Sequence, residues 1–368
     1  MVTSRESRQA TIRVDDVSSA IEYCYEAGWT DGLPVVPPAV ELVDAMLDAA
    51  ELDPLTVIGE HVTTRRSCTA HAAAVNAVMA GCLPVHFPIV VAALKAMSKT
   101  GFNYHGSTAS TGGSSHLIVV SGPIIGEIGM NATGNLFGSG NRANAAIGRT
   151  IRLIHLNVFH MQPNVTDKST QGNPGKYSLC VPERSDRNPW PLLHEEFGYP
   201  DDSIVVVFAA GGFHNVENHF AATPEQALLT VADSMSCLDS LTHGQSVVVL
   251  SPETAEIVAA DTSWTKSRVL DFLFENSYRE NAALQQIGRP TDTEEDRSQY
   301  KFSNDALKEG LEERYHRGLS AEDILLFVGG GDAGAHSAFL PSWSRGRTSI
   351  MQSEVIKPMK KVRRADND

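Results

Sequence analysis

Five glycine-rich stretches hold residues whose types could do chemistry. Residues 103–113 set His105 in a run of glycine and hydroxyl side chains, whose backbone N–H groups can face an anion. Residues 129–144 carry Asn135, Asn141 and Arg142, and they open a predicted helix. A helix N-terminus beside an arginine suits a carboxylate or a phosphate. Gly138-Ser139-Gly140 lacks the third glycine of a dinucleotide fingerprint, because Ala143 stands there, and no P-loop occurs. Residues 167–177 offer Asp167 and Lys176 as an acid–base or ion pair, with Thr170 and Gln171 as donors. Residues 211–219 hold His214, Glu217 and His219, directly after the clearest predicted strand. Ligands collect at such strand ends in α/β sheets. His214 reads as a proton-transfer group. As an alternative, His214 and His219 read as metal ligands, although their i,i+5 spacing is not that of a zinc helix. Residues 329–337 add four glycines, His336 and Ser337 after another strand. An ordinary polar loop is the competing reading of each stretch.

Cys82 is the candidate nucleophile. A reactive thiolate needs a helix N-terminus or a cation. Cys82 follows the predicted C-terminus of a helix at Gly81, which favours the thiol, but His86 and a new helix near Phe87 lie just beyond. The competing reading is a small buried hydrophobe. The five cysteines are odd in number and form no CxxC, so they are not a disulfide scaffold. Reduced thiols and a cytoplasmic protein are expected.

Positioning these groups requires helices near 17–27, 40–50, 69–80, 88–97, 141–156, 225–237, 254–260 and 266–275, which show helical spacing. Apolar runs predict strands at 117–120, 203–210, 246–250 and 324–328. Strands alternating with helices predict an α/β fold, a mixed sheet covered by helices. The expected divisions are a flexible arm at 1–13, a catalytic core at 14–275, a charged helical insertion at 276–320, a glycine loop at 321–350 and a basic tail at 351–368. The polar loops are expected to converge into one cleft at the strand ends.

The chain has 368 residues, 42% hydrophobic and 20% charged, which excludes disorder as a whole-chain description. Its charge of 30 − 44 = −14 argues against nucleic acid as a general partner. No signal peptide is expected, and no run approaches the roughly 20 apolar residues of a membrane helix. A homo-oligomer is expected.

Three motifs carry a resemblance: Thr-Asp-Gly-Leu-Pro-Val-Val-Pro-Pro at 30–38, Asn-Ala-Val-Met-Ala-Gly-Cys at 76–82 and Ser-Thr-Gln-Gly-Asn-Pro-Gly-Lys-Tyr at 169–177. Together, over about 17–345, they resemble a bacterial family with no assigned reaction. Its members are similar to the large partner of small proteins bearing Cys-Gly-Ser-Cys or selenocysteine-Gly-Ser-Cys. The resemblance implies thiol or selenol redox chemistry and strengthens Cys82; this chain has no Cys-Gly-Ser-Cys, so such a partner would be separate. Asp31, in the first motif, joins the substrate-binding candidates. The chain departs from the pattern at Val85-His86, where Glu-Tyr is expected, and at His71, where an acidic residue is expected.

The leading expectation is a cytoplasmic enzyme acting on a small anionic molecule by thiol-dependent reduction or C–X bond cleavage. Arg142 and Lys176 would hold the anion, with Asn141, Asn135, Thr170, Gln171 and Asp31 around it. Cys82 would be the nucleophile, and His214 or His105 would move protons. No cofactor is expected. The alternatives are a hydrolase or hydratase using a divalent metal on His214 and His219, and a non-catalytic scaffold subunit.

Overall fold

Helix starts are marked by residues that return a side-chain oxygen to a free N–H of the first turn. Thr69, Asn141, Thr223, Ser251 and Thr265 all do so, and Pro224 and Pro252 follow two of them with φ already set for a helix. The computed structural model describes residues 11–238, 241–288, 314–344 and 346–357. Helices α1 (Val17–Glu26) and α2 (Val40–Ala49) precede a hairpin of β1 (Val57–His61) and β2 (Arg66–Thr69). Then come α3 (Ala70–Ala80), α4 (Phe87–Met97), α5 (Tyr104–Ala109), β3 (Ser115–Ser121), α6 (Ile124–Ile128) and the long α7 (Arg142–Asn157). The middle of the chain forms β4 (Cys180–Pro182), α8 (Leu193–Glu196), β5 (Ser203–Ala210), β6 (His214–Glu217), α9 (Pro224–Met235), β7 (Ser246–Leu250), α10 (Pro252–Ala259) and α11 (Lys266–Asn276). The remainder is β8 (Tyr278–Glu280), α12 (Asn281–Gln286), β9 (Arg314–His316), β10 (Ile324–Val328), β11 (His336–Pro341) and β12 (Gln352–Ile356).

The fold is α/β. Its strands form two four-stranded mixed sheets, ordered β12-β5-β3-β4 and β10-β7-β11-β6. The β3–β4 and β7–β10 pairs are parallel, and the other pairs within these sheets are antiparallel. Strand alternation sets the layers. Leu117, Val119, Val206 and Phe208 of one sheet pack against Val249, Phe327 and Leu340 of the other. The opposite face of the first sheet, with Ile118, Val120, Val205 and Val207, packs under α3, α4 and α7. The opposite face of the second, with Val248, Leu250 and Leu326, packs under α9, α10 and α11. The order of layers is helix, sheet, sheet, helix. β5 is buried along its whole length, and apolar after Ser203, because both of its faces are covered.

Residues 1–10 of the expected arm, 289–313 of the expected insertion and 358–368 of the expected tail lie outside the described residues. The described part of the insertion is not helical alone: α12 sits beside the antiparallel β8–β9 pair. Residues 352–356 are a strand rather than tail. β12 pairs with β5 as an edge strand, and its half-buried Gln352, Ser353 and Glu354 hide the apolar alternation that would reveal it. Among the described residues no helix is long and apolar enough to cross a membrane.

Candidate functional site

Helix α7 gathers the three motifs. Its Arg149 donates through Nε and Nη2 to the two carboxylate oxygens of Asp31, both at 2.8 Å. Its Asn157 donates to Asn76 Oδ1 at 2.8 Å. Thr150 Oγ1 lies 3.3 Å from Cys82 Sγ. A Cβ on Gly148 would lie 2.4 Å from Ser178 Oγ and 2.7 Å from the Leu179 nitrogen, so glycine is what lets the chain after Lys176 lie against the helix. At the N-terminus Asn141 is a cap: its Oδ1 accepts from Asn144 N at 3.0 Å and its Nδ2 donates to Gly129 O at 2.8 Å.

Beside α7 lies a small cavity of about 20 Å³, lined by Arg152, His155, His116, Ser115, Asp167 and Lys176 among others. Its wall is made by stretches 103–113 and 167–177 lying along one another. Lys168 N donates to Ala109 O at 3.2 Å and Thr170 N to Thr111 O at 3.0 Å. The two loops meet at glycines: a Cβ on Gly113, where φ is +70°, would sit 2.9 Å from Gly172 Cα.

The charges in this cavity do not balance. Lys176 Nζ lies 2.7 Å from Asp167 Oδ2 and 2.6 Å from Ser169 Oγ. Arg152 Nη1 is 3.5 Å from the same carboxylate oxygen, long for a hydrogen bond, and no shorter partner of Arg152 is present among the described residues. Burial alone would raise the Asp167 pKa, but the Lys176 and Ser169 hydrogen bonds outweigh it and hold the carboxyl below its ordinary range. Among the described residues two cations therefore face one carboxylate. The remaining polar lining is neutral. Burial, reinforced by the fields of Lys176 and Arg152, pushes His116 down to about 3. Burial also holds His155 well below its ordinary value, with His116 and Arg152 acting in the same direction. The two rings lie 4.8 Å apart edge to face. His116 Nε2 is 2.9 Å from Ser107 Oγ, and His155 Nε2 is 2.9 Å from the Tyr104 hydroxyl.

Of the residues expected to form the site, Lys176 lines this cavity. Thr170 and Gln171 are exposed and do not line it, although the Thr170 main chain helps build its wall. His105 does not line it either; its ring lies 5.4 Å from His61, and its Nδ1 is buried with no hydrogen-bond partner. Arg142 is exposed, with Nε donating to Gly81 O at 2.8 Å, close to Cys82 rather than to the cavity. Burial pushes the Cys82 thiol up to about 12, against the opposing pull of Thr150 and Arg142. Cys82 lines neither this cavity nor the second one described below. Asp31 is taken up by Arg149.

The other stretches lie elsewhere. His214 packs against Phe339 at 5.3 Å between ring centres. His219 sits 5.2 Å from the His336 ring and 3.6 Å from Glu217. Among the described residues no group of three His, Cys, Asp or Glu side chains is arranged to hold a metal. Asn135 lines a second cavity of about 300 Å³, walled by stretches 129–144, 211–219 and 329–337. The expected single cleft is thus two cavities. The strands divide between two sheets, and the loops follow the sheet they serve.

Sequence reasoning missed Arg152, His116 and His155. The available signal was weak: Arg152 and His155 stand three apart on α7, and His116 directly precedes the apolar run Leu117–Val120 within β3. Compared with known proteins, the chain matches no protein-family model and no curated protein.

Proposed function

We propose that this protein is an enzyme that binds a small carboxylate-bearing molecule in the Arg152–Lys176 cavity and cleaves a C–X bond in it by proton transfer. The observation that carries this reading is the charge imbalance. One carboxylate, Asp167, serves two cations, and Arg152 is left with donors that a second carboxylate would satisfy. A bound monoanion completes the cavity's charge.

His116 supplies the proton-transfer group. In the empty cavity burial and the two cations keep its ring neutral. A bound anion offsets the field of those cations, so the ring becomes more basic when substrate sits beside it. His116 then takes the proton from the carbon next to the carboxylate, the electron pair of that C–H bond forms a double bond to the adjacent carbon, and X departs from that adjacent carbon with the electron pair of its bond. Arg152 and Lys176 stabilise the charge that gathers on the carboxylate oxygens. Cys82 takes no part, and the reaction needs no external dithiol.

Isothermal titration with lactate and malate, with inorganic phosphate for comparison, tests the binding step. The expected result is carboxylate binding that weakens roughly 10–100-fold in Arg152→Gln and in Lys176→Met, the loss of one charge-assisted hydrogen bond. In His116→Gln binding should persist. A wild-type protein that binds no carboxylate, or charge variants that bind as wild type does, would overturn the proposal.

A further inference from the structure

The larger cavity, of about 300 Å³, has the opposite character. It opens at the carboxyl ends of the parallel strands β7 and β10, where Leu250 leads into Ser251 and Val328 into the glycine run. Among the described residues its lining includes no Asp, Glu, Lys or Arg. The floor is apolar, formed by Leu136, Val249 and Ala338. Phe137 and Phe213 stand at one side, edge to face with ring centres 5.0 Å apart. Phe213 remains 49% exposed although it belongs to this concave wall. On another wall Asn215 Nδ2 lies 3.0 Å from His336 Nδ1.

Hydrogen bonds and an ion pair hold the glycine loop in place. Gly330 adopts φ +108° and nothing lies within 4 Å of where its Cβ would be, so its α-carbon faces open space. Its N–H donates to Ala132 O at 2.9 Å. Its carbonyl accepts from the buried Arg184 Nη1 at 2.8 Å. Arg184 also pairs with Asp332 at 2.6 Å, and Gly334 N donates to Glu253 Oε2 at 2.8 Å. The charged groups around the loop are therefore engaged in holding it and are turned away from the cavity lining.

We infer that this cavity is a second ligand site, for an uncharged planar aromatic molecule of nucleoside size or smaller. The aromatic pair and apolar floor would take the ring face, and Asn215, His336 and Ser251 would take its polar edge. Charged groups are excluded because an ion brought here would lose its water without meeting a counter-charge. The preformed walls lower the cost of ordering on binding. The site does not depend on the carboxylate reading of the other cavity.

Saturation-transfer NMR and calorimetric titration with adenosine and with indole test the inference. Binding of at least one probe is expected. It should weaken roughly tenfold in Phe213→Ala, the loss of one ring–ring contact, and should disappear in Ala333→Trp, where an exposed loop position would fill the cavity. Phe213→Tyr should restore it, and Arg152→Gln should leave it unchanged. A wild-type protein that binds neither probe, or binding that is the same in Phe213→Ala and Ala333→Trp, would overturn the inference.

Discussion

A thiolate needs water or a cation to carry its charge, and at Cys82 burial outweighs both the Arg142 field and the Thr150 hydrogen bond. The thiol stays protonated at neutral pH and packs in the core shared by α3, α4 and α7. Cys82→Ser is therefore expected to leave carboxylate binding and turnover within about twofold of wild type. It should cost about 1–2 kcal/mol of stability, because a hydroxyl is harder to bury than a thiol even with Thr150 as partner. Urea unfolding and titration measure the two quantities. Loss of turnover with folding and binding intact would return the thiol to the centre of the mechanism. Asp31 shows the same logic with a charged group. Both of its carboxylate oxygens are held by Arg149, which ties the 30–38 segment to α7.

α7 shows how one element can unite motifs that lie far apart in the chain. Arg149, Thr150 and Asn157 reach the first two motifs, and Arg152 faces Asp167 and Lys176 beside the third. Gly148 is a point where the helix and the 176–180 segment lie too close for a Cβ. In Gly148→Ala the added methyl meets the backbone nitrogen of Leu179, which cannot move aside as a flexible side-chain tip would. A cost of roughly 1–3 kcal/mol is expected from the overpacking. Carboxylate binding should weaken as well, because Lys176 would be displaced from Arg152. Thermal unfolding gives the first effect and titration the second; a variant that melts and binds like wild type would show that the contact relaxes without moving the site.

The layered architecture buries titratable groups as well as apolar ones. His116, His155 and His243 are held below the ordinary histidine value of 6.5, in each case chiefly by burial; His116 falls to about 3 and His243 to about 4. The unfolded chain binds these protons more readily than the folded one. Stability is therefore complete above pH 6.5 and is lost as pH falls below it, by up to about 1.4 kcal/mol per pH unit for each histidine. Asp167 acts in the same direction at lower pH, since its depressed value stabilises the fold above the ordinary carboxylate range and ceases to do so as pH falls through it. The urea midpoint should be flat between pH 7 and 8 and drop steeply from 6 to 4. A midpoint unchanged down to pH 4.5 would mean that these rings are solvated.

Local signals in the sequence sufficed for the α/β class, for the apolar strands at 203–210, 246–250 and 324–328, and for helix ends such as Thr69 and Gly81, because periodicity, capping and turn chemistry act within a few residues. The polar stretches were visible for the same reason. Their grouping was not. Stretch 103–113 meets 167–177 through main-chain bonds across about 60 residues, and 129–144 meets 329–337 across about 200. Such pairings depend on which sheet each strand joins, which no local pattern encodes. β12 was hidden because an edge strand needs only main-chain partners, not alternating apolar side chains. Arg152, His116 and His155 came to line one cavity only when α7 was laid over the start of β3, and burial reached Cys82 only when the core closed over it. Residue types and local form are written along the chain; charge balance and burial belong to neighbours that only folding brings together.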